Sequence, residues 1–251
     1  MGSLQIWNKN KLIECMASVP LFRDLNPLQL EKLRRSGRMS LYGRNQVLFN
    51  QGDIVEHLFL VLDGAVKKYR TSEYGDMAIL RLLVPRDTFM EFHVYLNEPA
   101  LLSAQMITKS TILAIPSSTI RELASSDVSF SRILLKAISK YYRDAMLKID
   151  SILLQSPVEK IGRYLLTLWV GHANTYGPLK LPFKKSLIAQ SLGMKPETFS
   201  RTLSEIKKFG VCMENDEITM QTPFSLCHFC GTGVALKCRN RGLPGCIERA
   251  Y

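Results

Sequence analysis

The amino-acid sequence predicts an α+β protein made of a β-barrel domain with N-terminal helices, a long helix, a small helical domain and a cysteine-rich tail. Short apolar strands separated by turn signals run through residues 39–116, and an apolar pattern of helical spacing then continues to about residue 154. Short helical segments follow Pro157, and the last stretch is rich in Gly and Cys without periodicity. We expect the four parts to cover residues 1–126, 127–156, 157–222 and 223–251.

The first part starts with helices and continues as strands. Between about residues 12 and 37 the apolar positions have helical spacing, interrupted at Pro20 and Pro27. Further along, turn signals such as Asp63-Gly64 separate runs rich in Val, Ile, Leu, Phe and Tyr. Many short strands at regular spacing are typical of a barrel of the jelly-roll kind.

The long helix carries an apolar stripe, which consists of Phe130, Leu134, Ala137, Tyr141, Ala145, Ile149 and Ile152. Such a stripe indicates either a seam between two copies of the chain or a face packed on the chain's own barrel. Because a helix of this length rarely finds enough surface within its own chain, we expect a dimerisation helix and a homodimer.

The charge balance favours a polyanionic partner. The net charge is +11 and the pI is near 9.4, and Lys and Arg placed on phosphates release counterions and supply affinity. No apolar run approaches the ~18 residues that a membrane span requires, and residues 1–5 lack a basic segment followed by an apolar core. We therefore expect a cytoplasmic protein without membrane association.

Residues 183–203 fit a helix-turn-helix. Small Ala189 permits close approach of the second helix, and Gly193 supplies the turn. Pro196 falls in the first turn of the next helix, where its missing N–H is not needed. The sequence therefore predicts a short helix pair of the kind that enters a DNA groove, followed by a small hairpin over residues 211–220.

The second helix of this pair has two distinct faces. Phe199, Leu203 and Ile206 form the expected buried face, while the opposite face carries Glu197, Ser200 and Arg201 at i, i+3 and i+4. Arg201 has the fork that binds guanine, Glu197 accepts from a cytosine amine, and Ser200 suits a base edge or a phosphate. The alternative is an exposed ion pair between Glu197 and Arg201. The candidate DNA-contacting residues are Lys195, Glu197, Thr198, Ser200 and Arg201.

The run Glu197-Thr198-Phe199-Ser200-Arg201 resembles the E-x-x-S-R recognition helix of FNR-type members of the CRP/FNR superfamily. Leu21-Phe22 with Leu25, the Gln51-Gly52-Asp53 turn and residues 60–67 are similar to the family's effector barrel. The resemblance implies a cyclic-nucleotide-binding-like jelly-roll barrel, a long dimerisation helix and a winged helix-turn-helix. It also implies a homodimeric transcription regulator that binds double-stranded DNA with palindromic TTGAT-like half-sites and works with RNA polymerase.

Two segments, residues 163–168 and 196–201, look like the nitrogen-oxide-responsive branch of the family.

Members that bind cyclic AMP carry a Gly-Glu pair and a downstream Arg-Ser or Arg-Thr, for which this chain has Met90-Glu91 and Leu102-Ser103. Without the arginine, the cyclic phosphate lacks its charged partner, and a buried anion left unpaired is costly. We expect no cyclic-nucleotide binding.

The tail offers a different sensor. It contains four cysteines, Cys227, Cys230, Cys238 and Cys246, of which the first two form a C-x-x-C motif. Four thiolates in this pattern suit an iron–sulfur cluster of the 4Fe–4S type. The alternatives are a zinc ion, redox thiols or no metal. The Bacillus-type members of the family carry a similar C-terminal cysteine cluster completed by a carboxylate, for which Asp150 is the corresponding candidate. Cys15 and Cys212 have apolar neighbours and are expected to be inert core thiols.

A haem in the barrel is the rival sensor, because the resemblance to the nitrogen-oxide branch implies one there. His57, His93 and His172 are possible axial ligands. An enzyme is not expected. The sequence contains no Ser/His/Asp order, no phosphate-binding Gly loop followed by Lys and no open three-ligand zinc motif. The other alternative is an interaction module that does not bind DNA, against which the Glu197 and Arg201 pair argues.

Overall fold

The structure, a computed structural model, describes residues 7–75, 77–96, 98–171, 178–214, 216–222, 224–231, 234, 238 and 246. The chain forms two compact units, Met1–Met146 and Leu147–Tyr251. Each is described by itself below.

The first unit opens with two short helices, α1 (Lys9–Ser18) and α2 (Pro27–Ser36). Asn8 caps α1 by accepting the N–H of Lys11. Asn26 and Gln29 form a reciprocal capping box at the start of α2, where Pro27 takes the first helical position. Local sequence signals therefore set where both helices begin.

Eight strands follow the helices, and a single helical turn, α3 (His93–Leu96), lies between the sixth and the seventh. They are β1 (Arg38–Tyr42), β2 (Val47–Phe49), β3 (His57–Asp63), β4 (Val66–Thr71), β5 (Met77–Leu83), β6 (Thr88–Phe89), β7 (Ser103–Met106) and β8 (Ser110–Pro116). They form two four-stranded antiparallel sheets with orders β1-β8-β3-β6 and β2-β7-β4-β5. This double sheet confirms the predicted α+β class with an N-terminal β-domain.

Strand β3 is buried on both faces, which shows how the unit is layered. Leu58, Leu60 and Leu62 pack against the flanking helices, whereas Phe59 and Val61 point between the two sheets. There Phe59 stacks on Phe49 and Phe89, with ring centroids 5.7 and 5.0 Å away. The space between the sheets is therefore filled by aromatic side chains.

Helices α4 (Ser117–Ser126) and α5 (Val128–Leu154) follow the barrel. Asp127 caps α5, since its carboxylate accepts the N–H groups of Ser129 and Phe130. On α5, Phe130 and Leu134 are fully buried in the core of their own unit. The predicted seam was wrong for this half of the helix, because these residues cover the chain's own barrel.

A second apolar stripe runs along another side of α5 and shares Ile149 with the predicted one. Its members recur at i+3, i+4 or i+7 and are all exposed; they are Val128, Leu135, Tyr142, Met146, Ile149 and Leu153. Both sides of the helix are thus apolar. Helical periodicity alone could not tell which side is covered within the chain.

The second unit begins with α6 (Pro157–Gly171) and continues with β9 (Leu179–Lys180), α7 (Lys185–Ser191), α8 (Pro196–Ile206), β10 (Val211–Glu214) and β11 (Glu217–Met220). The strands form a small antiparallel sheet of order β10-β11-β9. Val211 pairs with Met220 at the open end of the predicted hairpin.

The core of this unit extends past the boundary predicted at residue 222. Leu226 and Phe229 are buried among the residues of α6, α7 and α8, and a 3₁₀ turn spans Cys227–Phe229. A single 3₁₀ turn has no periodicity to detect, so the sequence did not reveal that this segment belongs to the core.

Candidate nucleic-acid interface

The turn between α7 and α8 is tight. Ala189 is fully buried, and its carbonyl accepts the N–H groups of Leu192 and Met194, each at 3.0 Å. Gly193 has a φ of +68°, the left-handed region in which glycine has no steric cost, and Pro196 is the first residue of α8. Each of these residues has the role expected from the sequence.

The buried face of α8 differs in one position from the expected one. Phe199, Thr202 and Ile206 are at most 2% exposed, at i, i+3 and i+7, while Leu203 is only partly buried. Thr202 therefore occupies the core position that was predicted for Leu203. A threonine does not stand out in an apolar pattern, which is why it was missed.

The opposite face of α8 is exposed and polar. Glu197, Ser200 and Arg201 are all exposed, as is Lys195 just before the helix, whereas Thr198 is half-buried. The structure thus brings the predicted set together on one short helix and its entrance. In the described part of the chain, no ion pair joins Glu197 to Arg201, so their side chains point outward without neutralising each other.

Further polar groups border this face and were not singled out from the sequence. Ser204 continues it at i+7 from Glu197, and Lys184 and Lys208 are exposed at the start of α7 and beyond the end of α8. The i+7 spacing could have identified Ser204. Lysines flanking a polar helix face are placed to contact a phosphate backbone.

An ion pair and a backbone hydrogen bond hold the β10-β11-β9 sheet beside helices α7 and α8. Lys185 at the start of α7 forms an ion pair of 3.2 Å with Asp216 in the β10–β11 turn, and the Asp216 carbonyl accepts the N–H of Leu181 at 3.0 Å. A helix-turn-helix with a fastened hairpin has the architecture of a winged helix. Its exposed helix can enter a major groove and present Arg201 and Glu197 to base edges.

Two family models match this chain. Residues 40–127 match the cyclic nucleotide-binding domain and residues 159–229 match the Crp-like helix-turn-helix domain, which together span more than half of the chain. The chain belongs to the CRP/FNR family. That family consists of DNA-binding transcription regulators that act as dimers, and not of enzymes.

Individual CRP/FNR proteins are similar over most of their length. The transcriptional activator protein Anr of Pseudomonas protegens is 24% identical over 221 residues, which cover 86% of this chain and 89% of that protein. The cyclic AMP receptor protein of Thermus thermophilus is 26% identical and covers 78% of this chain and 89% of its own. The structure of FixK2 from Bradyrhizobium japonicum has the same fold, with a TM-score of 0.69, 21% identity and coverage of 78% and 98%.

The residues expected at the family's cyclic-nucleotide-binding positions, Met90-Glu91 and Leu102-Ser103, have the following surroundings in this chain. Met90 adopts a φ of +73° and is buried, and Glu91 is nearly buried. The Ser103 hydroxyl accepts the N–H of Gln51 at 2.8 Å. Leu102, which we expected at the place of the family's arginine, carries no charge.

Two of the three candidate haem ligands lie among the described residues. His57 is exposed on β3, while His93 is buried on α3 with its Nδ1 lacking a hydrogen-bond partner among the described residues. Burial and the nearby charge of Lys68 lower the pKa of His93. His172 lies outside the described residues.

The tail cysteines are brought together only as a pair. Cys227 and Cys230 share the 3₁₀ turn, in which the Cys230 N–H donates to the Cys227 carbonyl at 2.9 Å. Cys238 and Cys246 are half-buried, and Asp150 is exposed on α5. Within the residues that the structure covers, no group of three or more His, Cys, Asp or Glu side chains is arranged to hold a metal.

The other two thiols are both half-buried and lie on different elements. Cys15 is half-buried on α1, and burial raises its pKa, which suits the expected inert thiol. Cys212 is half-buried on β10.

Among the described helices, none combines the length and the apolar character needed to cross a membrane.

Proposed function

We propose that this CRP/FNR regulator reads an inverted repeat with TTGAT-like half-sites through Glu197, Ser200 and Arg201, and that Lys195 and Thr198 orient α8 on the backbone. The observation that carries the proposal is the single exposed face on which the three reading residues lie without an internal ion pair. An acidic residue in a DNA interface repels phosphate, so Glu197 is useful there only when it accepts a hydrogen bond from a base. We place this activity in the cytosol, in cooperation with RNA polymerase.

The test separates base reading from phosphate attraction. Arg201→Lys keeps the positive charge but loses the fork that grips guanine, and Arg201→Ala loses both. We expect either change to weaken binding to the inverted repeat by about 1–3 kcal/mol per half-site while R201K retains affinity for unrelated duplex. Glu197→Ala should relax selectivity at one base position. Undiminished selectivity of the combined Arg201→Ala/Glu197→Ala variant in a fluorescence-anisotropy titration would overturn the proposal.

We further propose that the tail cysteines bind the sensory group, as an iron–sulfur cluster of the 4Fe–4S type or, as the alternative, a zinc ion. The four thiols have the right donor chemistry, and Cys227 and Cys230 sit on one turn as a chelating pair requires. Such a group would supply sensitivity to oxygen, redox state or nitrogen oxides. Cys238, Cys246 and Asp150 are the further ligand candidates.

An anaerobic preparation tests the sensor. A brown protein with about four irons per chain supports the cluster, a colourless protein with one zinc supports the alternative, and a Soret band would instead place a haem in the chain. Cys227→Ser should lose the metal, while Cys212→Ser, in the β10 strand, should keep it. Equal metal content in both variants would refute the assignment to the tail.

A further inference from the structure

The connection between α5 and α6 is short and well capped. Only Gln155 and Ser156 lie between the two helices. The Ser156 N–H donates to the Glu159 carboxylate at 2.8 Å, and the Glu159 N–H donates to the Ser156 hydroxyl at 3.3 Å, which is a capping box. A lysine of α6 adds a further contact, since the Lys160 ammonium lies 3.5 Å from the Ile152 carbonyl in the last turn of α5. The chain therefore has little freedom to bend where α5 passes into α6.

The last turn of α7 is also held by a lysine, and this one comes from α5. The Lys148 ammonium donates to the carbonyl of Ser191, the last residue of α7. The three carbonyls before it, those of Ile188, Ala189 and Gln190, accept backbone N–H groups from the turn that follows. A side chain of α5 thus reaches the end of α7 at the point where the turn of the helix-turn-helix begins.

The surroundings of Lys148 favour this contact. Its side chain is half-buried, and within the described part of the chain no ion pair joins its ammonium to a carboxylate. A partly desolvated ammonium needs a hydrogen-bond acceptor, and the C-terminal end of a helix attracts a cation. The Ser191 carbonyl meets both requirements, so the contact ties α7 to α5.

The same stretch of α5 carries part of the exposed apolar stripe. Ile149 and Leu153 belong to this stripe, and both lie in the second unit together with Lys148. Lys148 lies about 100° around the helix from Ile149, so a second chain packed on the stripe leaves the contact with α7 in place. One helical segment therefore carries both the exposed stripe and the lysine that holds the helix-turn-helix.

We propose that Lys148 is a positioning residue, which fixes the helix-turn-helix against the end of α5 and thereby sets the half-site spacing that the dimer accepts. The proposal rests on the reading of an inverted repeat proposed for α8. In a two-fold dimer, the separation of the two copies of α8 depends on how each is held to the helix near the axis. One added base pair moves a half-site by about 3.4 Å and turns it by about 35°. A fixed joint accepts one spacing, whereas a loose joint accepts several.

The spacing profile tests the proposal. Lys148→Met keeps a long side chain but removes the ammonium, and Lys148→Arg keeps a cationic donor. Duplexes with two TTGAT-like half-sites and spacers that differ by one or two base pairs are compared by fluorescence anisotropy. We expect the wild-type protein and K148R to prefer one spacer about 10-fold over its neighbours, and K148M to bind three or more spacers within about 3-fold, because a hydrogen bond to a charged group is lost.

Lys140→Met is the matched control for these titrations. Lys140 is exposed on the same helix, and K140M should keep the wild-type profile. K148M should also keep its preference for a single TTGAT-like half-site, which shows that the variant is folded and that its base reading is intact. A wild-type profile in K148M, or a profile flattened equally by K140M, would overturn the proposal. Loss of half-site preference in K148M would also overturn it, by placing Lys148 in base reading.

Hydrogen exchange without DNA tests the contact itself. The amides of Leu192, Gly193 and Met194 close the turn after α7, and they should exchange faster in K148M than in the wild-type protein or K148R. Equal exchange in K148M and the wild-type protein would overturn the proposal, whatever DNA sequence α8 reads. Absence of half-site preference in the wild-type protein would instead refute the function proposed for α8, so the two failures are distinguishable.

Discussion

The ring of Phe229 lies directly on the α-carbon of Gly162. A Cβ added at Gly162 would come closer to three ring atoms of Phe229 than van der Waals contact allows. The ring also packs edge-on against Phe209, with centroids 4.9 Å apart. Because Cys227 and Cys230 flank Phe229, this contact holds the start of the cysteine-rich tail on the winged domain.

Gly162→Ala should therefore loosen the tail. Overpacking in a core costs about 1–3 kcal/mol, which outweighs the gain of up to about 1 kcal/mol from replacing glycine within a helix. We expect a lower free energy of unfolding and faster alkylation of Cys227, measured by denaturant titration and mass spectrometry. Gly171→Ala is the matched control, since it lies at the end of the same helix with open space around it. Equal alkylation in the two variants would argue against the contact.

The turn of the helix-turn-helix makes a second prediction. Gly193 has open space around it but a φ of +68°, so Gly193→Ala should cost about 1 kcal/mol from backbone strain alone. Asparagine tolerates the left-handed region better, so Gly193→Asn should recover part of the loss. Thermal unfolding measures both; a variant G193A as stable as wild type would contradict the strain argument.

Local signals made α7 and α8 predictable from sequence. Ala189, Gly193 and Pro196 act within their own turn, so their roles do not depend on distant residues. The covered face of α5 and the core position of Thr202 were not predictable, because they depend on which distant surface packs there.

The buried ammonium of Lys68 predicts a pH dependence of stability. Burial lowers the pKa of Lys68 from 10.5 to about 8, with the charge of Glu91 opposing this and that of Arg81 adding to it. Between these two pH values the unfolded chain binds a proton that the folded chain does not, so this group makes stability rise with pH across the window. Below pH 8 both the folded and the unfolded chain are protonated at Lys68, and folding bears the full free-energy cost of burying the charged ammonium, about 3 kcal/mol.

Lys68→Met removes this charge and keeps an apolar chain in its place. We expect the variant to be more stable than wild type at pH 7, with a gain that shrinks as the pH approaches 10. Tyr141 and Cys15 have raised pKa values and titrate in both proteins. His93, whose pKa burial and Lys68 lower from 6.5, titrates below this pH window, so the difference between the two proteins across the window reports Lys68. Lys109→Met, at an exposed position, should leave the curve unchanged. A pH-independent difference between K68M and wild type would refute the argument.

The exposed stripe of α5 predicts where two chains meet. In a two-fold dimer each residue near the axis faces its own copy, so Ile149→Glu together with Leu153→Glu brings like charges together in an apolar seam. We expect a monomer by sedimentation equilibrium, and a larger loss of affinity for an inverted repeat than for a single half-site, because the recognition helices of a dimer must grip sites ~34 Å apart. Leu147→Glu, also exposed but off the stripe, should remain dimeric. A dimeric I149E/L153E variant would show that the seam lies elsewhere on the chain.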